Sequence, residues 1–387
     1  MIVASTKETF SGERRVALVP MSAAQLVKNG LEVRIEAGAG LSAGFPDALY
    51  SDKGAAVVSR DEALGADCLL QVRGAGADPQ GAAALAASLR ADQVVIAMCD
   101  PLGAPAEARA IADKGATLFS LELVPRITRA QSMDVLSSQA TIAGYRAVLL
   151  AATTLPKMFP MMTTAAGTIT PAKVFVMGAG VAGLQAIASA RRMGAVVSAY
   201  DIRSAVKEQV ESLGAKFVQV DLDTGGGEAE GGYAKAMDED FYRRQRELMT
   251  KVVAQNDVVI TTAAVPGKKA PTLVTAEMVE AMPTGSVLVD VAAERGGNCA
   301  LTKPGETVVE HGVTILGPAN LPSDVPYHAS QMFSKNVTTF LNHLVSDGRF
   351  EFNLEDEITR ESLVAKDGQV VHPKVRELLG LPELATV

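Results

Sequence analysis

Short hydrophobic runs alternate with amphipathic stretches along the first part of the chain. The β-like runs are Met1–Ser5, Leu31–Glu36, Cys68–Val72 and Val94–Met98. Between them, the stretches near Ser22–Asn29, Gly81–Leu89 and Pro105–Lys114 have the spacing of helices. This alternation predicts a parallel sheet with helices on its faces.

The same alternation returns in the second part of the chain. The β-like runs there are Val174–Met177, Ala195–Tyr200, Lys216–Val218, Asp257–Thr261, Ser286–Asp290 and Val313–Leu316. We therefore predict an α/β fold with two Rossmann-like domains, each a mainly parallel sheet flanked by helices. Residues 1–136 and 329–387 are expected to form the first domain, and residues 137–328 the second.

Two long helical patterns are expected to bridge these domains. The first follows Pro125, where Thr128-Arg129-Ala130-Gln131 has the form of a capping box, and the helix is predicted to run to about Leu150. The second covers Ser330 to Val345 and would return the chain to the first domain.

A glycine-rich turn joins a strand to a helix in the middle of the chain. Residues 173–201 read KVFVMGAGVAGLQAIASARRMGAVVSAYD. Gly178 suits a tight turn, Gly180 lets the backbone approach a pyrophosphate, and Gly183 lets the helix pack closely on the strand. Asp201 follows the next strand, where a carboxylate binds a ribose diol and repels a 2′-phosphate. The order of elements predicts a dinucleotide site that prefers NAD to NADP, although Arg203 nearby favours the opposite choice.

Composition excludes several classes of function. A net charge of −8 argues against nucleic-acid binding, and the absence of Trp removes a common stacking residue. The N-terminal sequence has no signal-peptide pattern, and no apolar run is long enough to span a membrane. The three cysteines form neither a disulfide framework nor a zinc pattern, so we expect no metal.

Polar residues gather where the first long helix is expected to begin. Gln131, Asp134 and Ser138 would share one helix face, with Arg126 just before the helix and Ser137 beside it. Such a face suits a nicotinamide and its ribose. Two other interpretations stay open: Gln131 only caps the helix, or Arg126 and Asp134 form a surface pair.

Glycine is concentrated between Asp221 and Asp238, around Tyr233. This predicts a mobile loop that closes over the nucleotide through the tyrosine, or alternatively a solvated connection without a role. Elsewhere, Asp290 and Glu294 follow a predicted strand and are candidates to face the cofactor.

Residues 125–148, PRITRAQSMDVLSSQATIAGYRAV, resemble the signature segment of the NAD(H)-binding domain I of proton-translocating nicotinamide nucleotide transhydrogenases. The resemblance covers nearly the whole chain. Its other long matches are residues 7–20, 177–203, 206–217, 231–237, 260–271 and 290–298.

The resemblance implies direct hydride transfer from NADH, held by this chain, to NADP⁺ held by a partner domain. It implies a positioning or catalytic role for Arg126, Gln131, Asp134, Ser137 and Tyr233. The implied cofactor contacts are Ile127, Thr128, Arg129, Ser138, Gly178, Gly180, Val181, Gly183, Asp201, Ile202, Arg203, Gly232, Gln245 and Ala264.

The resemblance also implies a homodimer and separate membrane-spanning and NADP(H)-binding subunits. The chain would then lie in the cytoplasm, on the inner face of a bacterial-type membrane.

Alanine dehydrogenases are the alternative, because the same signatures resemble them too. That family uses a lysine and a histidine where this chain has Arg73 and Asp100, and an aspartate where this chain has Glu294, although Arg15 matches its substrate arginine. A third class, a non-catalytic NAD sensor, would need neither the polar helix face nor the tyrosine.

Overall fold

The chain divides into two compact units, which are described one at a time. The structure is a computed structural model that describes residues 1–219, 228–229, 233–234, 239–265 and 267–384, with backbone alone for residues 228–229, 233–234, 239–242 and 245. Unit 1 comprises Met1–Gln139 and Ser323–Val387, and unit 2 comprises Ala140–Pro322. The boundaries expected for independent domains, after residue 136 and before residue 329, stay a prediction.

All ten β-like runs of the sequence form strands, and the structure contains further strands that the pattern did not predict. In chain order they are β1 (Ile2–Ser5), β2 (Glu32–Glu36), β3 (Ala56–Val58), β4 (Cys68–Arg73), β5 (Val94–Met98), β6 (Thr117–Ser120), β7 (Met162–Thr164), β8 (Gly167–Ile169), β9 (Lys173–Met177), β10 (Val196–Tyr200), β11 (Lys216–Phe217), β12 (Glu228–Ala229), β13 (Tyr233–Ala234), β14 (Val258–Thr261), β15 (Val287–Asp290), β16 (Thr307–Glu310), β17 (Val313–Leu316), β18 (Val345–Ser346), β19 (Arg349–Phe350), β20 (Leu363–Lys366) and β21 (Gln369–Val370).

The helices fill the stretches between these strands. They are α1 (Pro20–Lys28), α2 (Asp47–Ser51), α3 (Arg60–Leu64), α4 (Ala82–Ser88), α5 (Pro105–Ala112), α6 (Val135–Thr154), α7 (Val181–Arg192), α8 (Lys207–Ser212), α9 (Glu239–Val253), α10 (Ala276–Glu280), α11 (Pro326–Leu344), α12 (Glu357–Ser362) and α13 (Pro373–Leu378). Within the described ranges, no helix is both long and apolar enough to cross a membrane.

Unit 1 is built on a sheet with the strand order β21-β20-β6-β5-β4-β1-β2-β3. The strands from β3 to β6 run parallel, while β20 and β21 are antiparallel additions. Residues of β4 and β5 are buried almost without exception, as expected when helices cover both faces of a parallel sheet.

Unit 2 repeats the plan with the order β11-β10-β9-β14-β15-β17-β16. Within this seven-stranded sheet all strands are parallel except β16 at the edge. In each unit the first strand lies at the centre, and successive connections lead outward in opposite directions from it. Both units therefore have the doubly wound topology that was predicted, and the fold class is confirmed.

Only the first of the two long helices contains a boundary between the units, as was predicted for both. Helix α6 contains the boundary between the units, which lies after Gln139. Helix α11, expected to be a second bridge, lies wholly in unit 1, because the chain leaves unit 2 at Pro322 before this helix begins.

The predicted tyrosine lid lies outside the described residues. Gly232 is not described, and the side chains of Tyr233 and Gln245 are not described either. Their predicted contacts with a nucleotide stay predictions.

Candidate functional site

The centre of the unit 2 sheet is where its topology predicts a ligand. Strand β9 ends at Met177 and its neighbour β14 ends at Thr261, and the connections after these two strands lead in opposite directions. The Thr262 hydroxyl donates a 3.0 Å hydrogen bond to the Gly178 carbonyl and so joins the two strand ends. Crevices at such switch points are the usual binding sites of doubly wound sheets.

Two glycines of the turn are required by the chain itself. Gly178 has φ of +100°, a conformation that other residues rarely adopt. A Cβ on Gly183 would lie 1.8 Å from the Gly178 carbonyl oxygen, so helix α7 packs on the turn only without a side chain there. These positions are explained by local geometry alone.

Gly180 is different, because nothing in the described chain requires a glycine there. Its φ of −76° and ψ of −169° are open to any residue, and no described atom lies within 4 Å of the point that a Cβ would occupy. Gly180 is the N-cap of α7, where backbone N–H groups and the helix dipole attract an anion. The missing side chain keeps this approach open.

Asp201 ends the strand next to the turn and connects to it directly. One carboxylate oxygen accepts the Ala179 N–H at 2.7 Å, and Arg203 holds both oxygens, through Nε at 2.9 Å and Nη2 at 2.8 Å. The Arg203 N–H adds a fourth bond, at 2.9 Å. Four bonds fill the acceptor capacity of a carboxylate, so a ribose diol must displace one donor, and the Arg203 side chain is the most mobile of them.

The other predicted contacts of unit 2 lie in the segments that follow β9, β10 and β14. Val181 is exposed at the first position of α7, Ile202 is half-buried after Asp201, and Ala264 is exposed in the segment after β14.

Sequence reasoning missed the residue that fixes the segment after β14. Asn298 is fully buried, and its side-chain amide bonds the N–H and the C=O of Ala263, at 3.0 and 2.8 Å, and the carbonyl of Pro271. The signal in the sequence was an amide directly after Gly296 and Gly297, both of which have positive φ.

Asp290 has a structural role rather than contact with a cofactor. It is fully buried, and its carboxylate accepts the backbone N–H groups of Ala292, Asn298 and Cys299 and the hydroxyls of Thr261 and Thr302. The expectation that Asp290 faces the nucleotide was wrong, because every one of these donors is internal.

The prediction that an α-helix begins at Thr128, in the signature segment of unit 1, was wrong. Residues Thr128–Met133 form a 3₁₀ helix, and its first residue makes no capping bond. Ile127, Ala130 and Met133 face the core at intervals of three, which matches the three residues per turn of a 3₁₀ helix. Gln131 is exposed on this turn and does not share an α-helical face with Ser138.

Asp134 provides the cap that was assigned to Thr128. Its carboxylate accepts the N–H of Ser137 at 2.8 Å and the Ser137 hydroxyl at 2.6 Å, so α6 begins directly after it. The hydroxyl of Ser138 is turned back to the Val135 carbonyl, at 3.1 Å. Among the predicted contacts, Arg126, Thr128, Arg129 and Gln131 are exposed.

The structure therefore separates the predicted residues into two groups. The group from Arg126 to Ser138 is continuous in unit 1, and the group from Gly178 to Ala264 lies around the glycine turn of unit 2.

A buried charged cluster in unit 1 contains Arg15, the arginine that matches alanine dehydrogenases. Its guanidinium bonds both oxygens of Glu13, at 2.7 and 2.6 Å, and Gln139 at 2.8 Å. Arg73 reaches the same carboxylate at 3.3 Å and lies 4.2 Å over the Phe10 ring. The Glu13 carboxylate therefore pairs with both guanidinium groups.

Glu8 is the least usual member of this neighbourhood. Its carboxylate is enclosed, although the residue as a whole is half-buried, and it accepts the N–H groups of Val72 and Arg73 at 2.7 and 3.0 Å. Burial, helped by the charge of Glu13, raises the pKa of Glu8 to about 8.

The donor set of unit 2 fits a dinucleotide. No group of three or more potential metal ligands is assembled anywhere in the portion of the chain that is described. The open N-cap at Gly180, with a carboxylate at the end of the next strand, provides groups for a pyrophosphate and a ribose.

Comparisons with known proteins agree with this geometry. The family model described as alanine dehydrogenase/PNT, N-terminal domain, matches residues 5–143, and the C-terminal domain model matches residues 147–373. An NAD(P) transhydrogenase subunit alpha chain of Rhodospirillum rubrum is 46% identical over 378 residues, which cover 96% of this chain and 98% of that protein.

Solved structures and more distant relatives give the same ranking. A transhydrogenase structure from Sinorhizobium meliloti is 44% identical, with a TM-score of 0.84, and the match covers 96% of this chain and 99% of that one. The alanine dehydrogenase of Bacillus subtilis is only 27% identical, over 98% of this chain and 95% of that protein. The chain belongs to the alanine dehydrogenase/PNT family, on its transhydrogenase side.

Proposed function

We propose that this chain is the NAD(H)-binding component of an NAD(P) transhydrogenase, which donates hydride from NADH directly to NADP⁺ held by a partner domain. Relatives that are 43–46% identical over nearly the whole chain are named as NAD(P) transhydrogenase subunit alpha chains, which supports this activity. The proposal makes the chain an oxidoreductase with NAD(H) as its own cofactor.

The open position at Gly180 is the observation that carries the cofactor assignment. A glycine that neither the backbone conformation nor the described packing requires has its explanation outside the chain. A pyrophosphate that approaches the first turn of α7 supplies this explanation, because a methyl group there would obstruct it.

Positioning, rather than acid–base chemistry, is the task of the protein groups. When bound, NADH supplies the hydride. Val181, Asp201, Ile202, Arg203 and Ala264 are proposed to hold the adenosine side. The signature segment, through Arg126, Gln131, Asp134 and Ser137, is proposed to orient the nicotinamide, with Tyr233 excluding water. Hydride transfer between two nicotinamides needs alignment and a dry site but no general base.

The ion pair between Asp201 and Arg203 supports a preference for NADH. The Arg203 guanidinium alone would attract a 2′-phosphate. Its Nε and Nη2 atoms, however, donate to the Asp201 carboxylate, and this carboxylate repels a 2′-phosphate. We expect NADH to bind more tightly than NADPH by about 2–4 kcal/mol. Separate titrations of the purified protein with each nucleotide test this, and equal affinities would contradict it.

Alanine dehydrogenase activity is the alternative, and the residues of unit 1 disfavour it. Arg73 replaces the lysine of that family and pairs with Glu13, and Asp100 replaces its histidine. Arg15 is retained, but it is buried against Glu13 and Gln139. Such a site lacks the groups that bind and protonate a 2-oxoacid, so we expect no pyruvate reduction.

An exposed apolar hairpin supports a homodimer. Strands β7 and β8 pair in unit 2, and every residue of both is exposed. Met161 is 65% exposed, and Met162 and Ile169 are 39% and 43% exposed. Exposed apolar residues on a two-stranded ribbon support the proposal that a second copy of the chain covers this surface.

Light scattering on the purified protein tests the dimer. Met161→Asp combined with Ile169→Asp is expected to halve the molar mass, because two charges would be buried in the interface. Met21→Asp, at an equally exposed methionine of α1, is the control and should remain dimeric. A dimer that survives the double substitution would contradict the use of the hairpin.

The remaining partners follow from the proposed reaction. A second dinucleotide must be present for transfer, and we propose that a separate NADP(H)-binding subunit supplies it. A membrane-spanning subunit would couple the reaction to proton movement and hold this chain at the cytoplasmic face of a bacterial-type membrane.

A further inference from the structure

The turn Thr128–Met133 is a weak element that depends on outside support. Its hydrogen bonds are those of a single 3₁₀ segment, which have poorer geometry than α-helical bonds. Ala130 and Met133 are buried, whereas Arg129, Gln131 and Ser132 are exposed. The apolar contacts fix only the buried side of the turn. The position of its exposed side therefore depends on polar contacts.

Two such contacts come from the part of unit 1 that follows Ser323. The Asn336 side-chain N–H group donates to the Ser132 carbonyl at 2.8 Å, from α11. The Arg129 guanidinium donates to the Asp356 carboxylate, which lies 227 residues further along the chain. Arg129 is half-exposed, whereas the Asp356 side chain is only 17% exposed.

Asp356 is itself held firmly from two directions. Its second carboxylate oxygen caps α12, accepting the N–H groups of Ile358 at 2.8 Å and Thr359 at 3.4 Å. The Nε2 atom of His343, at the end of α11, lies 3.4 Å from the same oxygen and 3.1 Å from the Thr359 hydroxyl. The hydrogen bond from Arg129 also lowers the pKa of Asp356, so the carboxylate is charged at neutral pH.

We infer that Asp356 is a positioning residue for hydride transfer: through Arg129 it sets the conformation of the turn that carries Gln131. The inference rests on the proposed function, because that proposal gives the turn its role at the nicotinamide. The C-terminal segment would then contribute to the reaction through the position of this turn.

The expected effect is on geometry and not on overall stability. An ion pair with a half-exposed guanidinium contributes little to the stability of the fold. Hydride transfer, in contrast, is sensitive to alignment, and a displacement of about 1 Å can slow a reaction about 100-fold. Loss of the pair should therefore slow transfer without unfolding the protein.

Asp356→Asn is the most selective variant. Asparagine caps a helix as well as aspartate does, so α12 keeps its first turn through Oδ1. The oxygen that accepts from Arg129 is replaced by an NH2 group, which removes both the charge and the acceptor that hold the guanidinium. Glu361→Gln is the matched control. It also removes a carboxylate from α12, but this carboxylate pairs with the adjacent Arg360.

Four measurements are made on the full chain, and only the rate of hydride transfer also needs the NADP(H)-binding and membrane subunits. Amide hydrogen exchange should rise across residues 127–134 in Asp356→Asn, with Tm unchanged. The rate of hydride transfer should fall by about 10- to 100-fold, while the affinity for NADH changes much less. Glu361→Gln should match the wild-type protein in all four.

The outcomes separate the inference from the proposal beneath it. Wild-type exchange in Asp356→Asn, or faster exchange with an unchanged transfer rate, would overturn the role of Asp356. Equal losses of rate in both variants would overturn it as well. Absence of transfer in the wild-type assembly would instead refute the proposed function.

Discussion

Gly180→Ala separates binding from folding at the glycine turn. The alanine methyl group would enter space that no described atom occupies, at backbone angles that alanine adopts freely. Alanine is a poorer N-cap than glycine, but it also restricts the unfolded chain, by about 0.4–1 kcal/mol. These two effects offset one another, so the free energy of unfolding should be nearly unchanged.

The loss in NADH affinity follows from the hydrogen bonds that the methyl group obstructs. A bond from a backbone N–H to a charged phosphate oxygen contributes about 1.5–3 kcal/mol. Each 1.4 kcal/mol changes affinity about tenfold. Displacement of the pyrophosphate from one such bond therefore raises the Kd for NADH by roughly 10- to 150-fold.

Calorimetric titration with NADH, together with thermal unfolding of the unliganded protein, measures both quantities. Gly183→Ala is the contrasting variant, because its Cβ would lie 1.8 Å from the Gly178 carbonyl oxygen, and we expect it to lose about 3 kcal/mol of stability. If Gly180→Ala binds NADH like the wild-type protein, the pyrophosphate does not lie on this turn and the reasoning is refuted.

Two further substitutions test other parts of the account. Asp201→Asn should reduce the preference for NADH over NADPH, since it removes the charge that repels a 2′-phosphate and frees Arg203 to bind this phosphate. Titrations of the variant with each nucleotide measure the preference, and an unaltered preference would contradict the role of Asp201. Glu8 has a folded pKa of about 8, above its usual 4.5, so its contribution to stability is complete below pH 4.5 and is lost as pH rises to 8. At about 1.4 kcal/mol per pH unit the loss is roughly 5 kcal/mol. Glu8→Gln should flatten the dependence of unfolding free energy on pH across this window, and an unchanged slope would show that Glu8 is ionised in the folded protein.

Local patterns predicted the parts of the structure that depend on local causes. The strands follow from apolar runs, and the roles of Gly178 and Gly183 follow from their spacing between strand and helix. The start of α6 was misplaced because Thr128 imitates a capping box. Instead, apolar residues at intervals of three favour a 3₁₀ helix at Thr128–Met133, and the carboxylate of Asp134 caps α6 after it.

Contacts across long sequence distances were beyond prediction from one sequence. Asn298 fixes the backbone at Ala263, and Asp356 holds Arg129, through partners that only the folded sheet order brings together. Neither pair leaves a spacing signal, because their separation in sequence reflects the connections between elements and not the periodicity of a helix or a strand. Such residues are found from the structure.

Transfer of a labelled hydride from NADH to NADP⁺ tests the proposed reaction. The protein is loaded with NADH carrying deuterium at the transferable position, and NADP⁺ is supplied with the NADP(H)-binding and membrane subunits. The account predicts that the deuterium appears in NADPH without loss to solvent, and that this chain alone neither carries out the transfer nor reduces pyruvate in the presence of ammonium. Pyruvate-dependent oxidation of NADH by the chain alone, with no label reaching NADP⁺ in the complete assembly, would contradict it.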